Sequence, residues 1–111
     1  LPWTMIGTKV RALADRGYVR DLIDVHAAAG HRTNTELEHL GRRHARDEFS
    51  LPNLRDRLNG AEWFEDEDFT AYGLDGEQLA TLRHWALSWA MDIEARLHSE
   101  REPDGEQPED A

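Results

Sequence analysis

Apolar residues recur along this chain at three- and four-residue spacing, the period that lines one face of a helix. Ile6, Val10, Leu13 and Ala14 predict a first helix from a Thr4 cap to about Arg16, ended by Gly17. Val19, Leu22, Ile23 and part of the Ala27 to Ala29 run predict a second, over about Tyr18 to Ala29, stopped by Gly30. Thr33 followed by Glu36 has the spacing of a capping box, so a third helix should run to near Arg46 with Leu37 and Leu40 inward and Ala45 behind them. Ser50 caps a short fourth helix, with Pro52 in its first turn, Leu51, Leu54 and Leu58 inward, and Asn59-Gly60 at its end. Residues 61 to 74 are less regular, and Trp63, Phe64 and Phe69 there can tack a loop or short helices onto the core. Asp75 with Gln78 opens the longest helix, where Leu79, Leu82, Ala86, Trp89, Ala90, Ile93 and Leu97 face inward, Trp85 flanks them, and Arg83, Asp92 and Glu94 stay outside. The expected fold is all-α, a bundle of about four to six helices. Residues 1–98 would form the domain, and residues 99–111, acidic with Pro103 and Pro108, a disordered tail.

A length of 111 residues allows one domain at most, or a piece of a larger one, and Leu1 in place of methionine is compatible with processing or with a fragment. No apolar run approaches the roughly 20 residues that span a bilayer, and no signal-peptide core is present, so neither secretion nor membrane insertion is expected. The absence of cysteine removes disulfide and thiolate chemistry and favours a cytoplasmic chain. The formal net charge of -10 is uneven: residues 1–57 carry 10 basic and 8 acidic groups, residues 58–98 carry 2 and 9, and residues 99–111 carry 1 and 6. The acidic whole opposes nonspecific nucleic-acid binding, yet the first half could face an anion.

Lys9 to Asp24, K-V-R-A-L-A-D-R-G-Y-V-R-D-L-I-D, concentrates the candidate chemistry. Lys9 and Arg16 fall on nearly the same helical face, and Arg20, Asp21 and Asp24 crowd one side of the next helix. If the two helices pack antiparallel across Gly17, Lys9 and Asp24 come within reach of each other. The cluster is either an interhelical salt-bridge set or a small nucleotide site. In the second case Lys9, Arg16 and Arg20 face phosphates, and Asp24 orients Lys9 or an acceptor hydroxyl. Elsewhere Gly41, Arg42, Arg43, His44 and Arg46 gather at a helix end, where they serve the dipole or touch a phosphate. The carboxylates Glu62, Glu65, Asp66, Glu67 and Asp68 lack a calcium-loop pattern and suit a solvated face. Trp85 and Trp89, one turn apart, suit a core or a domain interface better than base stacking. His26, His31, His39, His44, His84 and His98 show no zinc-ligand spacing, so no metal site is expected in this segment. Phosphate-loop, dinucleotide and serine-nucleophile motifs are also missing.

The block from Lys9 to Asp24 resembles the later block of the nucleotidyltransferase-like toxins of type IV toxin-antitoxin, or abortive infection, systems. The likeness rests on Lys9, Ala12 with Leu13, Arg16, Arg20 with Asp21, and Asp24. The segments G-R-R-H-A-R-D-E-F-S and A-E-W-F-E-D-E-D-F-T-A-Y-G-L-D extend it over most of residues 4 to 98. The resemblance implies the helical C-terminal half of a polymerase-beta-like transferase, with Lys9 and Asp24 catalytic and with Lys9, Arg16, Arg20 and Asp21 on the nucleotide. It also implies magnesium and a nucleoside triphosphate in the complete enzyme, an RNA acceptor such as the 3′ end of transfer RNA, and a cognate antitoxin. The Gly-Ser and metal-binding Asp motifs of the family are absent, so no transfer is expected from this segment alone. The competing expectation is an inactive remnant or a helical interaction domain whose acidic exterior binds a basic partner.

Overall fold

The helical spacing is realised in the computed structural model of the chain, which describes residues 3–30, 32–43 and 49–101. The helices are α1 (Trp3–Asp15), α2 (Val19–Ala29), α3 (Asn34–Arg43), α4 (Leu51–Asn59), α5 (Asp66–Thr70) and α6 (Gly76–Arg101), with a 3-10 turn over Gly60–Glu62. No strand occurs among the described residues, so the expected all-α bundle is the architecture found. α1 packs mainly on α3 and α4 mainly on α6; α2 lies against α1 and touches α6, and α1 also meets α4. The core at their junction is built from the expected positions, among them Ile6, Val10, Leu13, Leu22, Leu37, Leu54, Leu58, Leu82, Trp89 and Ile93, all essentially without solvent contact.

The caps follow the sequence closely. Thr33 N–H donates to Glu36 Oε1 at 2.8 Å while Glu36 N–H donates to Thr33 Oγ1 at 3.2 Å. Ser50 Oγ accepts from Asn53 N–H at 3.1 Å, and Asp75 with Gln78 closes a reciprocal pair at 2.7 and 2.9 Å. Other boundaries differ. α1 already begins at Trp3, placing Thr4 inside the first turn rather than at the cap. α4 does end at Asn59-Gly60, but Gly60, with a right-handed φ of -59°, leads directly into the 3-10 turn. α6 continues to Arg101, past the expected boundary at Ser99, while residues 102–111 and the end of the third predicted helix, with Ala45, lie outside the described residues.

Three side chains also depart from their expected roles. Trp63, placed by its spacing among the tacking aromatics, is 80% exposed; Phe69 is buried and Phe64 packs edge-on against it at 6.1 Å. Arg83 is not a free surface cation, because its guanidinium donates to the carbonyls of Ala61 at 3.0 Å and Phe64 at 2.8 Å and to Asp66 at 2.7 Å. Glu94 is not inert either, since Arg55 of α4 pairs with it. On α2, Ala28 and Ala29 are buried, but Ala27 is exposed and Val19 and Ile23 are only half-buried.

Glu38 was not signalled by the apolar pattern, and it is nonetheless almost fully buried. Its carboxylate accepts from Trp89 Nε1 at 2.8 Å and from both terminal nitrogens of Arg96 at 2.9 and 2.6 Å. Arg96 in turn pairs with Asp92 at 3.1 Å, and Asp92 accepts from the Asn34 amide at 3.2 Å. These bonds hold the Asn34 carboxamide and the Arg96 guanidinium toward Asp92, keeping its carboxyl below the usual range. The network ties the α1/α3 pair to the α4/α6 pair. Truncating Glu38 would strand an indole N–H and a partly buried guanidinium together. Glu38→Ala is expected to lower the unfolding free energy by about 2–4 kcal/mol in urea titrations, whereas Asp92→Ala, whose pair is open to water, should cost no more than about 1 kcal/mol.

Candidate functional site

The corner between α1 and α2 is built on one residue that only glycine tolerates easily. Gly17 has φ of +67°, and the space a β-carbon would need is filled by the side chain of Arg57 from α4. Arg57 also donates to the carbonyls of Ala14 at 3.4 Å and Asp15 at 3.1 Å, satisfying acceptors at the C-terminus of α1. On the other side of the turn Asp21 accepts from the Tyr18 N–H at 3.0 Å. The same carboxylate, only 4% exposed, takes Arg16 at 2.6 and 3.3 Å as a fork. Asp21 thereby raises the Arg16 guanidinium above its ordinary value, chiefly through the hydrogen bond. Arg16 lies over the Tyr18 ring, 5.1 Å from its centroid.

With the corner fixed, α2 runs back along α1. Lys9 Nζ reaches Asp24 Oδ2 at 3.5 Å, both side chains half-buried. Arg20 approaches the same oxygen at 3.8 Å from one turn earlier and remains largely in solvent. The five residues singled out in the sequence therefore form two adjoining sets, Arg16 with Asp21 and Lys9 with Asp24 and Arg20. A groove of about 560 Å³ opens beside them, lined by Arg16, Tyr18, Val19, Arg20, Asp21, Asp24 and Tyr72. Lys9 meets the groove only through Asp24 and is not part of that lining. Arg57, Tyr18 and Tyr72 were not anticipated. Tyr18, a large aromatic directly after the turn glycine, offered a local hint; Arg57 and Tyr72 arrive from distant segments.

Tyr72 also borders a second, more apolar groove of about 530 Å³, with Ile23, His26, Leu74, Glu77 and Leu82. His26 packs against Trp85 with the rings tilted and 4.8 Å between centroids, and Trp85 meets Trp89 at 5.5 Å, which makes both tryptophans part of the packing, as their spacing suggested. At the end of α3, Arg42 lies over Phe49 at 5.7 Å, and Arg43 is exposed; His44 and Arg46 lie outside the described residues.

A family model for the nucleotidyl transferase AbiEii toxin of type IV toxin-antitoxin systems matches residues 2–93. The chain belongs to the AbiEii toxin family. No curated protein and no solved structure matches it. The match spans the Gly17 corner, both ion-pair sets and most of α6. AbiEii toxins are nucleotidyl transferases by description, which makes a nucleoside triphosphate the general substrate class and an antitoxin the general partner. The acidic side chains here do not suit a magnesium centre: Asp21 and Asp24 are each turned onto cations, and among the described residues no three His, Asp or Glu side chains converge on a point. Among those residues no helix is long and apolar enough to cross a membrane.

Burial against Trp85 pushes the His26 imidazole below its ordinary value of 6.5. The folded state thus prefers the neutral ring, whereas the unfolded chain takes up a proton near pH 6.5. The stabilisation is complete above that pH and is lost as pH falls through it. Thermal midpoints measured between about pH 7.5 and 5.5 should decline, and they should decline less steeply in His26→Phe, which keeps an aromatic ring but cannot titrate.

Proposed function

We propose that residues 1–98 act as the helical half of a toxin nucleotidyltransferase, with Lys9 addressing the phosphates of a nucleoside triphosphate and Asp24 supporting the transfer. The observation that carries this reading is the 3.5 Å approach of Lys9 Nζ to Asp24 Oδ2 beside a groove bearing Arg16 and Arg20. In nucleotidyl transfer an acceptor hydroxyl forms a new bond to the α-phosphorus, the bond to the bridging oxygen breaks, and pyrophosphate leaves with the negative charge. A compact ammonium fits that developing charge, and its value lies in being held in place before the reaction starts. Asp24 aims Lys9, or accepts a hydrogen bond from the acceptor hydroxyl. Arg16 and Arg20 extend the positive edge, and Asp21 holds Arg16 in position.

The acceptor in this proposal is RNA, at the 3′ end of transfer RNA, and the setting is cytoplasmic. Magnesium would neutralise phosphate charge in the complete enzyme, held by carboxylates other than those described here. Growth arrest would follow from transfer and be relieved by a cognate antitoxin. Residues 99–111 would remain an acidic appendage without a part in the chemistry.

The test uses the intact reading frame that encodes this chain, with nucleotide transfer to RNA and thermal melting followed in parallel. Lys9→Ala and Asp24→Ala are each expected to reduce transfer by roughly 10²–10³-fold. Their stability should fall by less than about 1 kcal/mol, because the pair is open to water. Ser88→Ala, on the exposed side of α6, should leave both unchanged. Loss of melting temperature without a specific loss of transfer would reduce the pair to a helix-helix salt bridge.

A further inference from the structure

Trp63 is the most exposed large apolar side chain among the described residues, at 80%, and Met91 follows at 72%. The loop carrying Trp63 is firmly held. Its own N–H donates to the Gly60 carbonyl at 2.9 Å, and Arg83 ties down the flanking Ala61, Phe64 and Asp66. The indole is therefore presented by a fixed backbone, while Phe64 and Phe69 already fill the space beneath the loop. A groove of about 550 Å³ lies beside it, lined by Trp63, Phe64, Leu87 and Arg83 together with Glu62, Glu65, Asp66 and Glu67. Met91 lies one turn beyond Leu87, so the apolar strip continues along the same face of α6.

The electrostatics select the occupant. Arg83 is committed to three oxygens, which leaves Glu62, Glu65 and Glu67 as the charges the groove offers. Phosphate backbones and anionic lipid surfaces are repelled by such a rim. A second copy docking through the same face would set like charges against one another across a two-fold axis. A helix with apolar residues at three- and four-residue spacing and flanking lysines or arginines meets both features: an apolar strip along a helix receives it, and an exposed tryptophan supplies the anchor. We propose that the Trp63 face docks a basic amphipathic helix of a protein partner. Trp63, Leu87 and Met91 receive its apolar side chains, and Glu62, Glu65 and Glu67 its cations. This docking does not depend on the phosphate reading of Lys9 and Asp24.

The probe is a synthetic Leu/Lys amphipathic helix of about 18 residues, five turns long, compared with the same peptide carrying Glu for Lys. Binding to the 111-residue chain is followed by calorimetry and by the indole N–H resonance of Trp63, assigned by its disappearance in Trp63→Ser. The cationic peptide should shift that resonance and the Met91 methyl, and its affinity should fall with added salt. Trp63→Ser, an exposed change that should leave the melting curve in place, is expected to weaken it by about tenfold or more. Joint replacement of Glu62, Glu65 and Glu67 by Gln should weaken it by roughly three- to tenfold. Equal binding of the Glu peptide, unchanged affinity in Trp63→Ser, or shifts confined to the Arg16–Asp24 side would overturn the proposal. So would self-association of the free chain that Trp63→Ser abolishes, because the face would then belong to a second copy.

Discussion

The placement of everything near α1 and α2 depends on a single left-handed residue. At Gly17 the chain must reverse within the three residues Arg16 to Tyr18, and the conformation it uses is costly for any side chain with a β-carbon. Arg57 occupies the room thus left and ties off the carbonyls behind it, while Asp21 grips the residues on both sides of the turn. The reversal is held by contacts from within and from α4, so the antiparallel approach of α1 and α2 is a rigid angle rather than a loose hinge. The meeting of Lys9 with Asp24, about two turns away, is a geometric consequence of that angle. Neither residue needs an interaction partner of its own type to be kept there.

The remaining bundle is held differently. The α1/α3 and α4/α6 pairs close by apolar packing, but the bond between them includes a buried carboxylate. Glu38 is tolerated inside because its oxygens are all occupied: an indole N–H on one side and a guanidinium fork on the other. The pair adds little net attraction over a well-packed apolar alternative, yet its bond directions demand one orientation of α3 against α6. Specificity of arrangement, more than strength, is what such a network contributes to a domain of this size.

How much of this could be read beforehand follows from the range of the forces involved. Caps at Thr33, Ser50 and Asp75 involve residues three apart, and they were legible because their partners are local. The apolar faces of α1 and α6 were legible because periodicity is a property of one segment. The reach of Lys9 to Asp24 followed from counting turns on either side of Gly17. Glu38, Arg57 and Arg83 escaped for the opposite reason. Each is a charged residue in a local context that suits solvent, and its placement is set by partners 17 to 58 positions away. One faint signal existed for Glu38, since an indole on the inward face of α6 needs an acceptor, but nothing named which residue would supply it. The exposure of Trp63 was hidden because Phe64 and Phe69 had already filled the loop's interior.

The close approach of α1 and α3 at Gly41 extends this logic to a helix that carries none of the candidate site. A β-carbon at Gly41 would lie 2.7 Å from Val10 Cγ1 and 3.0 Å from Phe49, so the bare backbone of α3 is itself the seat on which Val10 rests. Val10 is the immediate neighbour of Lys9. Bulk gained at Gly41 would therefore press on Val10, and so on the stretch of α1 backbone from which the ammonium extends.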